Sequence, residues 1–237
     1  MLYRIVGTAL ILMQGASSMV QADTNGIRQE LTNRLRDDLK NTRSEPELAT
    51  RWVKEAKLLN YLGRTLSNDA EKEKVFTEGR LLAAKARQAE ATNPGAILWW
   101  TANEGNIAAI HKDFSALKSI GQIEKTLLLL KEIDPGYEYA AADRALARIY
   151  QEAPPFISIG SRRKSNEHYR AALQKAPDYP GNQIAFANFL LQQGEREQAM
   201  ILARKVRSSE KLKDFPFDAP EWIENAERIL EKAQHSN

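Results

Sequence analysis

The sequence predicts an all-α protein built from stacked helix pairs. Proline junctions recur at Pro94, Pro135 and Pro177, at intervals of 41 (135 − 94) and 42 (177 − 135) residues. Each junction follows a stretch in which small or apolar residues return every three or four positions, the spacing of one face of a helix. Proline ends a helix because it lacks a donor N–H and restricts the residue before it. A constant period of helix ends is typical of proteins in which helix pairs stack.

The first 22 residues are expected to lie outside this fold. Arg4 precedes an apolar run at residues 5–13, and small residues lead to Val20-Gln21-Ala22, the pattern of a secretory signal peptide. The run is about half of the roughly 20 residues that span a bilayer, so a short membrane anchor is the less favoured alternative. The chain has no cysteine, so no lipid anchor is expected at the cleavage site. The pattern predicts export of residues 23–237 to the bacterial periplasm as a soluble protein.

Composition excludes several function classes for the mature chain. Without residues 1–22, whose only charged residue is Arg4, the chain has 33 Lys and Arg (34 − 1) against 31 Asp and Glu. This near balance differs from the strongly basic surfaces of proteins that bind nucleic acid or anionic membranes, so neither partner is expected. The absence of cysteine excludes disulfides, zinc–thiolate sites and thiol nucleophiles.

Helical periodicity predicts three helices before the first junction. Residues 27–39 carry an apolar residue at every fourth position. A second helix is expected to begin at Ser44-Glu45-Pro46-Glu47, where proline suits the first turn and the helix dipole favours acidic residues, and to run to Leu62. A third is expected over residues 71–92. No stretch has the alternation of a strand and no composition shift marks a linker, so residues 23–237 are expected to form one domain.

The second helix of each pair has a recurring pattern of small and apolar residues. The pattern comprises Leu82, Ala86 and Ala89; Ile123, Leu127 and Leu130; and Ser165, Tyr169 and Ala172. The last pair, within residues 186–206, is the most regular, and Lys211 stands where a fourth proline would follow. These patterns resemble tetratricopeptide repeats. The resemblance implies a helix-pair solenoid of about four pairs, with a C-terminal capping helix that begins near Pro220.

The long intervals point to a narrower resemblance, because tetratricopeptide repeats usually have a period of about 34 residues. Residues 97–103, 139–150 and 164–173, together with the proline pair Pro154-Pro155, resemble the T components of TRAP (tripartite periplasmic) transporters, a divergent tetratricopeptide-repeat family. In that family the stretch before Arg144 is usually glycine-rich, whereas this chain has alanine at 140–142. The resemblance implies a periplasmic scaffold that binds another protein, with the solute receptor of a TRAP system as the candidate partner.

No catalytic motif is visible in the sequence. The three histidines, His111, His168 and His235, are far apart and lack carboxylates at metal-ligand spacing. His168 is interpreted as a packing or surface residue, and His111 as a residue that closes a helix or lies in the connection between two helices. Phosphate-binding loops, nucleophile elbows and dinucleotide fingerprints are absent. We therefore expect a protein that is not an enzyme and that holds no cofactor or metal.

Two features are candidates for binding on the first helices of the pairs. Trp99 and Trp100 must point about 100° apart on a helix, so one ring is expected in the core while the other lines a groove or pocket; the alternative is that both are structural. Arg144 lies among alanines and could clamp a carboxylate of a partner. The alternative is that Arg144 pairs with a neighbouring acid, Asp143 or Glu138.

A third candidate is basic. Arg162-Arg163-Lys164 opens a helix, where free N–H groups could help to hold an anion; a solvated basic loop is the alternative. Two functions remain open at this point. One is the interaction scaffold, and the other is a small-molecule or lipid carrier. The carrier's pocket would be formed by four aromatic residues, namely Trp99, Trp100, Tyr139 and Tyr150.

Overall fold

The computed structural model describes residues 18–45, 48–111, 114–155 and 158–234, and within these ranges the chain is helical with no β-strand. The helices are α1 (Ser18–Arg43), α2 (Ala49–Thr65), α3 (Asp69–Ala89), α4 (Pro94–His111), α5 (Phe114–Ile133), α6 (Tyr137–Glu152), α7 (Arg162–Lys175), α8 (Pro180–Gln192), α9 (Arg196–Arg207) and α10 (Ala219–Gln234). A 3-10 helix, Glu210–Asp214, precedes α10. In the described part of the chain, every helix is too short or too polar to cross a membrane.

The predicted leader is mostly outside this description. Residues 1–17 lie outside the described residues, and residues 18–22 form the first turns of α1. The leader and its cleavage therefore stay predictions. Pro46, Glu47 and His235 are outside the described residues as well.

The helices divide into two compact units, one up to Ile133 and one from Asp134 onward. In the first unit, α2 pairs with α3 and α4 pairs with α5, while α1 packs on α2. In the second unit, α6 pairs with α7 and α8 with α9, and α10 packs on α8 and α9. The prediction of an all-α fold of about four helix pairs with a C-terminal capping helix is confirmed. The prediction of a single domain over residues 23–237 stays a prediction.

A buried asparagine organises the core of the first unit. Asn103 is fully buried, and its side-chain amide donates to the carbonyl oxygens of Trp99 (2.7 Å) and Ala56 (3.2 Å). Its carbonyl oxygen accepts from Asn60 Nδ2 at 3.3 Å. A Cβ atom at Gly79 would lie only 2.8 Å from Asn103 Nδ2, so glycine is what allows α3 to approach α4 here.

The core of the second unit is built from small residues of α9 and an apolar face of α10. Ala199, Ala203 and Val206 are fully buried, which lets α9 pack closely on its neighbours. The expected capping face is present on α10, whose buried residues include Trp222, Ala226, Ile229 and Leu230. The 3-10 helix stands where the fourth proline junction would be.

Three predicted helix limits were wrong. Helix α3 ends at Ala89 rather than Thr92, and Ala89 is exposed instead of facing inward. The helix begins at Asp69, two residues before the predicted start, and Asn68 caps it by accepting a hydrogen bond from the Glu71 N–H at 3.0 Å. Helix α2 begins at Ala49 rather than at residues 44–47.

Candidate functional site

Helix α6 begins with a left-handed turn. Glu138, Tyr139 and Ala140 have φ values of 45°, 61° and 60°, and we call these three residues the Tyr139 turn. Left-handed helical conformations cost about 1–2 kcal/mol per residue for L-amino acids. Such backbone persists only where surrounding contacts determine it, and the contacts are visible here.

Arg144 and Asn182 hold the Tyr139 turn. The Nη1 atom of Arg144 donates to the carbonyl oxygen of Tyr139 (3.2 Å) and to Asn182 Oδ1 (2.7 Å). The Nδ2 atom of Asn182 donates to the same Tyr139 carbonyl at 3.0 Å and to the Ala172 carbonyl at 3.0 Å. Asn182 is only 1% exposed, so its bond to the Ala172 carbonyl forms away from water, whereas the bond from Arg144 to the Tyr139 carbonyl is exposed. The strained turn is thus anchored to α8 and α7.

The turn presents the Tyr139 side chain to solvent against an aromatic cluster. Tyr139 is 46% exposed and stacks on Tyr179, with ring centroids 4.3 Å apart and planes at 6°. The edges of Phe215 and Trp222 meet the Tyr179 ring at 5.1 Å and 5.4 Å. Burial raises the pKa of Tyr179 to about 12, although the nearby Arg144 guanidinium, 5.0 Å from the ring centroid, acts in the opposite direction.

A small open pocket lies beside this cluster. Its volume is about 260 Å³, and it is lined by Tyr139, Ala176, Pro177, Asp178, Tyr179, Lys211, Asp214 and Phe215. We call it the Tyr139 pocket. Lys211 Nζ lies 3.7 Å from Asp178 Oδ2. Asp214 forms no ion pair with any residue in the described ranges. All of these residues belong to the second unit.

The structure gives Arg144 three partners, which are the Asn182 amide oxygen, the Tyr139 carbonyl and the Tyr179 ring. Its pairing with Asp143 or Glu138 stays a prediction. Asp143 is fully buried, with its Oδ1 2.7 Å from His168 Nδ1 and its Oδ2 in contact with Lys175 Nζ. His168 therefore has a carboxylate partner that sequence spacing did not reveal.

Tyr150 and the basic segment lie elsewhere in the second unit. Tyr150 is buried, roughly three turns further along α6, and contacts the His168 ring at 5.5 Å and Lys164 Nζ at 4.8 Å. Arg163 pairs with Glu167 on its own helix. Ser161 caps α7 by accepting from the Lys164 N–H at 3.3 Å. Arg162 is exposed. The first turn of α7 thus already has a cap, and anion binding there stays a prediction.

The tryptophan pair belongs to the first unit. Trp99 is buried and its ring lies 5.9 Å from that of Tyr61, whereas Trp100 is half-buried with the Arg87 guanidinium 5.9 Å from its ring. Trp99 is therefore the ring in the core. Of the four aromatic residues proposed to line a carrier pocket, Tyr139 alone lines the Tyr139 pocket.

Metal chemistry has no support in the described residues. No group of three or more His, Asp or Glu side chains is placed there to hold an ion. The site presents the exposed Tyr139 ring and the Asp214 carboxylate, which has no ion-pair partner in the described ranges. The backbone that carries Tyr139 is held in place by Arg144 and Asn182.

Comparison with known proteins identifies a matching family and a solved structure with a similar fold. A family profile described as TRAP transporter T-component matches residues 11–210. The chain is also similar to a solved structure, described as TTC0263, a thermophilic TPR protein in Thermus thermophilus, with 16% identity and a TM-score of 0.57. The similarity covers 89% of this chain and 95% of that one, and it concerns the fold. No curated protein matches.

Proposed function

The chain belongs to the TRAP transporter T-component family, and we propose that it is a non-enzymatic adaptor that binds a partner protein of a TRAP system in the periplasm. The family match over residues 11–210 carries this proposal. The helix-pair fold supports it, because proteins built from such repeats use their extended surfaces for binding. Export, as the leader pattern predicts, would bring the protein to the compartment where a solute receptor works.

The proposed partner is the solute-binding receptor of the transporter. Tyr139 is the proposed anchor for this partner, because exposed aromatic residues dominate binding hot spots and this one is held rigidly. A rigid side chain loses little entropy on binding. Arg144, expected earlier as a direct contact, is used internally to hold the Tyr139 turn. Trp100 is the second candidate contact, on the first unit.

The size and openness of the Tyr139 pocket argue against the alternative function as a small-molecule or lipid carrier. Small-molecule sites usually measure about 300–1,000 Å³ and bury most of the ligand, whereas the Tyr139 pocket is open and holds about 260 Å³. A space of this kind suits one side chain of a protein partner better than a lipid or a whole solute.

The test is the affinity of the purified protein for the purified receptor of the same organism's TRAP system. Tyr139→Ala should weaken binding at least tenfold, equal to about 1.4 kcal/mol, because truncation removes the proposed anchor. Ile201→Ala is the matched control, since Ile201 is 45% exposed on α9 of the same unit. Arg144→Ala should weaken binding by more than about 1 kcal/mol through the Tyr139 turn, with helicity unchanged. Equal affinities of the Tyr139 and Ile201 variants would remove Tyr139 from the interface, and absence of binding by the natural protein would end the adaptor proposal for this receptor.

A further inference from the structure

The Tyr139 pocket has walls that attract positive charge. Tyr139 is stacked on Tyr179 through one face, and 46% of the residue is exposed to solvent. Phe215 meets Tyr139 edge-on, with centroids 5.6 Å apart. The faces of aromatic rings carry negative electrostatic potential, and ammonium or guanidinium groups bind against them.

The charged residues of the pocket leave one negative charge unbalanced. Two carboxylates, Asp178 and Asp214, line the pocket together with one ammonium, Lys211. Lys211 is 3.7 Å from Asp178, so its charge is shared with that carboxylate. Asp214 has no ion-pair partner among the residues that the structure describes. Arg144, another nearby cation, is hydrogen-bonded to neutral groups, the Tyr139 carbonyl and Asn182, so it keeps its charge; at the Tyr179 ring that charge is opposed by the carboxylates of Asp218 and Glu138.

We propose that the Tyr139 pocket binds an arginine side chain, with the guanidinium against the Tyr139 ring and its charge paired with Asp214. Arginine fits better than lysine because its planar guanidinium stacks on aromatic rings and can pair with a carboxylate through two hydrogen bonds. An anionic group would be repelled by the carboxylates of Asp178 and Asp214, and an apolar group would form no ion pair with Asp214. That the arginine is presented by the receptor rests on the proposed function; the pocket's preference for a cation does not.

The preference can be measured with a small probe on the full chain. N-acetyl-arginine amide is titrated against the ¹⁵N-labelled protein, and backbone NMR shifts at Tyr139 and Asp214 give the dissociation constant. We expect millimolar binding that weakens as salt is raised, because exposed charge pairs are screened. Asp214→Asn should weaken it about threefold or more, while Glu197→Gln, an exposed carboxylate on α9, should leave it unchanged. The uncharged N-acetyl-norleucine amide should bind at least threefold more weakly than the arginine probe.

The outcomes separate this inference from the adaptor function. Equal binding of the norleucine and arginine probes would overturn the cation preference, as would equal effects of Asp214→Asn and Glu197→Gln. Receptor binding that needs Tyr139 but tolerates Asp214→Asn would overturn the assignment of the arginine to the receptor, while the adaptor function stands. Arginine binding that depends on Asp214, in a protein that does not bind the receptor, would support the pocket assignment and contradict the adaptor function.

Discussion

Replacement of Asn182 by alanine should loosen the Tyr139 turn and destabilise the second unit. The Asn182 side chain donates to the Tyr139 carbonyl and also accepts from Arg144. Alanine removes these bonds, together with those to the Ala172 and Ala176 carbonyls, and leaves a small cavity beside α6. The residues of the turn carry a local conformational cost of about 1–2 kcal/mol each, so their geometry depends on these contacts.

The expected loss of stability is about 2–4 kcal/mol. A hydrogen bond to a charged group such as the Arg144 guanidinium contributes about 1.5–3 kcal/mol. The Tyr139 carbonyl keeps Arg144 as a donor, and the Ala172 carbonyl keeps its helical bond from the Ala176 N–H, so these oxygens are not left unsatisfied. The unfilled volume of the missing amide group adds up to about 1 kcal/mol.

The assay is urea unfolding followed by circular dichroism, with amide hydrogen exchange at residues 138–140 as the local readout. Asn188→Ala is the matched control, because Asn188 also lies on α8 and accepts from an arginine, Arg228, at 3.0 Å without touching the turn. We expect a smaller loss for the control and unchanged exchange at 138–140. If Asn182→Ala costs no more than Asn188→Ala, or leaves that exchange unchanged, the proposed anchoring is refuted.

Three further substitutions test the packing and electrostatics of the second unit. Ala203→Trp should overpack the fully buried contact of α9 and cost about 1–3 kcal/mol, and an unchanged Tm would place Ala203 outside the core. Asp143→Asn should lower the free energy of unfolding in urea by about 2 kcal/mol, because the buried cluster with His168 and Lys175 loses its negative charge. The loss is moderate because the Lys175 side chain is one third exposed and stays hydrated. A loss below about 0.5 kcal/mol would show that the cluster does not stabilise the fold. The pKa of Tyr179 is raised from 10.0 to about 12, so stability is intact below pH 10 and falls by about 2–3 kcal/mol as pH rises to 12. Tyr179→Phe should reduce this loss of stability between pH 10 and pH 12. An equal dependence of stability on pH in the variant and the natural protein would contradict the prediction.

The helix pairs were predictable because their signals are local. The spacing of apolar residues and the proline stops act within one helix or one turn, so the order of α2 to α9 follows from neighbouring residues. The capping helix was predictable for the same reason, since Trp222, Ala226 and Ile229 form one stripe at helical spacing. Helix limits were less accurate, as at Ala89, because the last turn depends on capping contacts.

The side-chain partners were not predictable, because they come from other helices. Arg144 binds Asn182, which is distant in sequence. The neighbour expected to pair with it, Asp143, points about 100° away on the helix and meets His168 and Lys175 of α7. Many acids and amides in the sequence were equally possible partners, so pattern alone could not select these.

The left-handed Tyr139 turn was missed because its residues are ordinary helix formers. Glu138 and Ala140 have no local preference for positive φ, and distant contacts impose it. One signal could have found the turn: the T-component family is usually glycine-rich in the stretch before Arg144, and glycine adopts positive φ at little cost. Ala140 adopts a φ of 60° without the conformational freedom of glycine, so the turn is strained in this chain.

Site-specific photocrosslinking at Tyr139 tests the central claim, that a protein partner of the transporter binds at the Tyr139 pocket. Tyr139→p-benzoyl-phenylalanine is introduced into the protein in its native cells, and Ile201→p-benzoyl-phenylalanine serves as the control for exposure. We expect irradiation to join the chain to the TRAP solute receptor at position 139 and not at position 201. Receptor crosslinks at position 201 with none at position 139 would contradict it.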